Sequence, residues 1–220
     1  MHNAMTESVT LLKADELGRI ERVERGGVLL IRRDISSARW WARWFARRAA
    51  AREARALVRL DGVEGVPRLL GWNGRVLERS YMAGDPMQVG KPLDAAYYRD
   101  ALRLLAVLHR RGIVHNDLAK EPNWLVREDG SPGLVDFQIA WTRGKRGNLF
   151  RLLAREDLRH LLKHKRTYAA DRLSARQLGI LAQPAPHSRL WRATGKRLYK
   201  LIARRIFGYW DNEGQGRVRR

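Results

Sequence analysis

The chain has 220 residues, 45% of them hydrophobic and 30% charged, which allows a buried core and excludes a disordered or low-complexity protein. Lys and Arg number 44 against 23 for Asp and Glu, giving +21 at pH 7, a field that draws polyanions such as nucleic acid, acidic lipid or phosphorylated glycan. Cysteine is absent, which excludes disulfides and thiolate metal sites; early charges and the lack of a long apolar run predict neither signal peptide nor spanning segment, hence a cytoplasmic protein.

Residues 9–33 read as short antiparallel strands, with "VTLL", "GRIERVE" and "VLLIRRD" turned at Gly26-Gly27. A helix is expected from Ser36 or Ser37, as cap, to Gly62. Within it Trp40, Trp41, Trp44 and Phe45 share one face opposite Arg39, Arg43 and Arg47, and packing of that face on the sheet is expected. Pro67 opens two more strands turned at Asn73-Gly74.

Residues 83–92 are rich in Gly and Pro and read as a linker, dividing the chain into 1–83, 84–183 and a basic tail, 184–220. Tyr97, Ala101, Leu104, Leu105 and Leu108 form the buried stripe of the next helix, which ends near Gly112. The polar stretch "VHNDLAKEPNWLV" follows, then a turn at "EDGSPG" and a strand "LVDF". A basic helix spans 149–168. In the tail, Arg189 to Trp210 reads as an amphipathic helix with Arg192, Lys196, Lys200 and Arg204 on one face. Such a helix either lies on an anionic membrane or packs on the domain.

Asp117 follows a buried helix, and Asp136 ends the next hairpin with Asn123 between them. This set suits a divalent cation together with proton handling, because Mg²⁺ takes oxygen ligands and is often held by one or two carboxylates plus substrate phosphates. Asn123 and Asp136 are the metal candidates. Asp117 is left to orient a hydroxyl or accept its proton, and Lys120 is a charge stabiliser beside it.

"HNDLAKEPNWLV" followed by "LVDFQ" resembles the catalytic loop and metal motif of the protein-kinase-like superfamily, in particular its compact bacterial RIO-like and lipopolysaccharide-core kinase branches. The resemblance covers residues 9–168 and implies an α+β fold in two lobes, with a strand-rich N-lobe and a helical C-lobe. It implies ATP with Mg²⁺ or Mn²⁺ as cofactors, Asp117 as the catalytic aspartate and His115 as a structural histidine. Glu53 resembles the helix glutamate that pairs with a third-strand cation, for which Arg32 is the candidate. Ser80 to Met82 resemble the adenine-reading hinge, and Asp157 the aspartate that braces the catalytic loop.

The sequence departs from the family pattern in four ways. Arginine stands where the strand lysine is usual, and the phosphate loop keeps only Gly18. Gln138 replaces a glycine, and Asn123 lies six positions after Asp117, one more than usual, with Pro122 marking a candidate bulge. The expected acceptor is a hydroxyl on protein Ser/Thr or on a lipopolysaccharide-core sugar, the latter at the inner face of the membrane. Two further readings stay open: a kinase-like scaffold without catalysis, and a nucleic-acid-binding protein, for which only the charge argues.

Overall fold

The computed structural model describes residues 7–144 and 146–183. The described residues up to Leu178 form one compact unit, and a second unit begins at Gly179. The amphipathic segment expected at Arg189 to Trp210 lies outside the described residues.

The fold is α+β, a small antiparallel sheet followed by a mostly helical region, and it is compatible with a two-lobed kinase-like arrangement. Strands β1 (Glu7–Asp15), β2 (Gly18–Arg25), β3 (Val28–Asp34), β4 (Leu69–Trp72) and β5 (Val76–Ser80) pair in the order β1-β2-β3-β5-β4. The Gly26-Gly27 and Asn73-Gly74 turns fall where expected, with positive φ at all three glycines, the backbone region that only glycine enters without strain.

Helix α1 (Arg43–Arg59) begins later than the sequence suggests. Asp34 Oδ1 accepts from the Ser36 amide at 2.8 Å and from the Ser36 hydroxyl, and successive turns occupy the chain up to Ala42. The serine expected to cap the helix is tied back to Asp34, a local side-chain bond that competes with helix formation. The face of α1 that meets the sheet is also different. Ala42, Ala46, Ala50, Ala54 and Leu57 are buried, while Trp40, Trp44 and Phe45 are 84%, 58% and 58% exposed. Small side chains at i, i+4 spacing let the helix approach Leu77 and Ile35 closely. The rings are left outside.

The expected linker carries structure of its own. Strand β6 (Asp85–Pro86) and the single turn α2 (Met87–Gly90) sit there, with Met87 fully buried in the main core. Helix α3 (Ala95–Arg110), capped by Asp94 accepting from the Ala96 amide, buries the predicted stripe Tyr97, Ala101, Leu104, Leu105 and Leu108. Next come β7 (Ile113–Val114), a 3₁₀ turn at Glu121–Asn123, β8 (Trp124–Val126), β9 (Pro132–Leu134) and β10 (Trp141–Thr142). Strand β8 pairs with both β6 and β9, and β10 pairs with β7. Helices α4 (Asn148–Tyr168) and α5 (Ala175–Ala182) follow. Among the described residues, no helix is long and apolar enough to cross a membrane.

Candidate active site

Two strand pairs hold the polar loop from both sides. The β7–β10 pair clamps Val114 opposite Trp141, directly before His115, and the β8–β9 pair sets Trp124 opposite Leu134, directly after Asn123. The loop from 115 to 123 and the segment from 135 to 140 therefore leave the same framework side by side. A single backbone bond, Val135 N–H to Asn123 C=O at 3.0 Å, joins them.

Asp157 on α4 fixes the start of the loop. Its carboxylate is buried and accepts from the His115 amide at 2.8 Å and the Asn116 amide at 3.0 Å, with His109 Nε2 at 3.3 Å. Asn116 has φ +66°, a conformation that needs such external support in a residue with a side chain. His115 is fully buried, and its Nε2 donates to the Val135 carbonyl at 3.0 Å. It anchors the loop to the segment that bears Asp136 and, being fully buried, is closed to a substrate. His164 Nε2 donates to the Leu118 carbonyl at 2.7 Å and ties the loop to α4 a second time.

At the loop's centre, Asn123 Nδ2 donates to the Asp117 carbonyl at 2.9 Å and to Asp117 Oδ2 at 3.1 Å. Lys120 Nζ lies 3.1 Å from the same Oδ2. Both partners use Oδ2, so Oδ1 is the oxygen left to take a proton from a hydroxyl. The Asn123 amide nitrogen is likewise engaged, which leaves its carbonyl oxygen as the donor for a cation. Pro122, the candidate bulge, lies inside the 3₁₀ turn at Glu121–Asn123.

The strand expected through Asp136 stops at Leu134. Asp136 has φ +67°, which turns it out of the ladder, and Gln138 Nε2 donates to its Oδ1 at 2.6 Å. Its Oδ2 remains for a cation. Among the described residues no group of three or more His, Cys, Asp or Glu side chains converges on a metal position. One carboxylate and one carboxamide are a fitting set for Mg²⁺ that completes its shell with waters and substrate phosphate oxygens.

Arg32 is not the partner of Glu53. Alternation along β3 sends Arg32 to the sheet face away from α1, where it meets Glu7 at 2.6 Å and Glu78 at 3.0 Å. Burial opposes its charge, but the bonds to Glu7 and Glu78 outweigh that and hold its pKa above the ordinary arginine value. The same bonding, with Arg25 first and Arg32 after it, holds the Glu78 carboxyl below its ordinary range. Glu53, almost fully buried, instead has Arg79 Nε at 3.1 Å and Arg33 Nε at 3.9 Å. Arg33 and Arg79 are the residues that sequence reasoning missed. Period-two alternation from buried Leu77 reaches Arg79, and from Ile31 reaches Arg33, so the signal was present one position away.

At the end of β5, where the hinge was expected, the Ser80 amide donates to the Arg68 carbonyl and the Ser80 hydroxyl accepts from the Arg68 amide, both at 2.8 Å. Both groups are committed to the sheet. Met82 lies over the β8–β9 hairpin, where a Cβ at Gly133 would come 2.6 Å from its sulfur, so a larger residue there would push the methionine side chain aside.

No protein-family model matches the chain. Over 51 residues, 23% of its length, the chain is 51% identical to the dual specificity protein kinase Ttk of Danio rerio. The match takes in 5% of that relative's length.

Proposed function

We propose that this protein is a phosphotransferase that moves the γ-phosphoryl group of ATP to a hydroxyl on a protein or a glycolipid. The observation that carries the reading is the Asp117–Lys120–Asn123 hub, bonded through the Asn123 carbonyl to the segment bearing Asp136. Phosphoryl transfer asks a protein mainly for positioning and neutralisation of charge, and these side chains supply both. Asp117 Oδ1 orients the acceptor hydroxyl and takes its proton. Lys120 neutralises charge beside it, and its bond to Oδ2 keeps Oδ1 turned to the acceptor. Asn123 and Asp136 would hold a divalent ion, which when bound screens the phosphate oxygens of ATP. Arg33, 3.9 Å from Glu53, is the more loosely paired guanidinium of this sheet face and the candidate to meet a phosphate, while Arg79, at 3.1 Å, holds Glu53 in place. The partial identity with a protein kinase agrees with this reading.

The test is ATP binding and transfer with Mg²⁺ and with Mn²⁺, using labelled ATP and cell fractions separated into protein, lipid and glycan. Asp117→Asn and Asp136→Ala are expected to abolish transfer without unfolding the protein. Arg33→Met is expected to weaken ATP binding by about tenfold, the loss of one charge-assisted contact, whereas Arg32→Met leaves it unchanged. A parent protein that neither binds nor turns over ATP would end the enzyme reading in favour of a kinase-like scaffold.

A further inference from the structure

The outer face of α1 combines exposed rings with arginines. Its inner face is alanine, leucine and the buried Glu53, and its exposed positions are arginines, the rings of Trp44 and Phe45 and, near its end, Val58, with no exposed acidic residue. Trp40, Trp44 and Phe45 are more than half exposed at its beginning. Trp44 and Phe45 meet edge to face at 4.8 Å, and the Arg48 guanidinium lies 4.8 Å from the Trp44 ring. Arg43, Arg47 and Arg75 line a cavity beside them with Ile35 and Ser36. The carboxylate next to that cavity in sequence, Asp34, is bonded to Ser36. Among the described residues no ion pair engages Arg43, Arg47, Arg48 or Arg75.

We propose that this face docks on an anionic membrane surface, with the three rings entering the headgroup region and the Arg43–Arg47–Arg75 cavity taking a lipid phosphate. Three large rings left in water by a well-packed helix are costly without an apolar partner. Indole rings favour the membrane interface, where the ring is solvated by lipid and its N–H by headgroups. Arginines beside them can reach the phosphates while their stems stay in the apolar layer. A single-stranded nucleic acid fits less well, because successive bases stack on open ring faces, whereas Arg48 covers Trp44 and Phe45 stands edge to face against it at 90°, which leaves Trp40 alone as a stacking face. The proposal does not rest on the phosphotransferase reading.

The experiment uses the full chain and sedimentation with vesicles of phosphatidylcholine alone or with phosphatidylglycerol, followed by quenching of tryptophan emission by brominated lipid. The parent is expected to bind only the anionic vesicles and to be quenched. The triple change Trp40→Ser, Trp44→Ser, Phe45→Ser should lower vesicle affinity at least about tenfold and remove most quenching. Arg43→Gln, Arg47→Gln, Arg75→Gln should lower it roughly a hundredfold by removing three interfacial charges. Unchanged thermal melting shows that the variants remain folded, and a single Trp44→Ser serves if a triple variant does not. A third variant reverses the tail charges at Arg192, Lys196, Lys200 and Arg204. If vesicle binding survives the α1 changes and disappears only with the tail changes, the proposal is wrong. It is equally wrong if the parent ignores phosphatidylglycerol, or if the α1 changes abolish RNA binding and leave vesicle binding as it was.

Discussion

Replacing Asp157 by asparagine tests whether one buried carboxylate holds the candidate catalytic loop. The carboxylate is 1% exposed and accepts two backbone amides, His115 through Oδ2 and Asn116 through Oδ1, with His109 at its edge. A hydrogen bond to a charged acceptor contributes about 1.5–3 kcal/mol net, and a buried amide left without a partner costs about 1–3 kcal/mol. Asparagine keeps one accepting oxygen and turns an NH₂ group towards the other amide. One charge-assisted bond is lost and one N–H is stranded, so the variant should lose about 2.5–6 kcal/mol. Urea unfolding reports the change as a shift of midpoint, and hydrogen exchange should show the His115 and Asn116 amides losing protection. His109→Gln, which keeps an N–H donor near the Oδ2 that His109 meets at 3.3 Å, should cost under about 1 kcal/mol. A stability within about 0.5 kcal/mol of the parent, with both amides still protected, would refute the reasoning.

Acid stability gives a second prediction. Burial in α4, with Lys163 adding to it, pushes the His160 imidazole down to about 4, below its ordinary 6.5. The folded protein therefore keeps His160 neutral between those values while the unfolded chain takes up a proton, so stability is full above about pH 6.5 and falls as pH drops towards 4. The slope is about 1.4 kcal/mol per pH unit, of the order of 3 kcal/mol in all, and His160→Gln should flatten a plot of unfolding midpoint against pH. Burial lowers His164 as well, which leaves a shallower slope of the same sign in that variant. At Gly112, φ is +73° and a Cβ would run into the Arg143 carbonyl oxygen. Gly112→Ala should therefore destabilise by about 1–3 kcal/mol and lower transfer activity through the β7–β10 clamp; a thermal melt matching the parent would contradict this.

The local elements were legible because each is set by neighbours in the chain. Glycine pairs fix the hairpin turns, the 3.6-residue stripe of α3 fixes its buried face, and alternation marks β2 and β3. The loop residues His115, Asp117, Asn123 and Asp136 stood out as polar groups gathered between apolar segments, and the structure brings their two segments side by side through the Val135–Asn123 backbone bond. Asp157 was found through a resemblance, since nothing in its local pattern shows that it reaches a loop some forty residues earlier. Three matters were decided by tertiary structure. The Asp34–Ser36 bond delayed α1, because a short side-chain bond competes locally with the first helical turn. The sheet chose the alanine face of α1 over its larger aromatic one, because close approach of a helix to Ile35 and Leu77 rewards small side chains more than it rewards ring area. The pairing of Glu53 with Arg33 and Arg79 rather than Arg32 followed from which face of β3 the helix covers. Composition and periodicity say which residues lie together on a face, but only packing selects which face is covered.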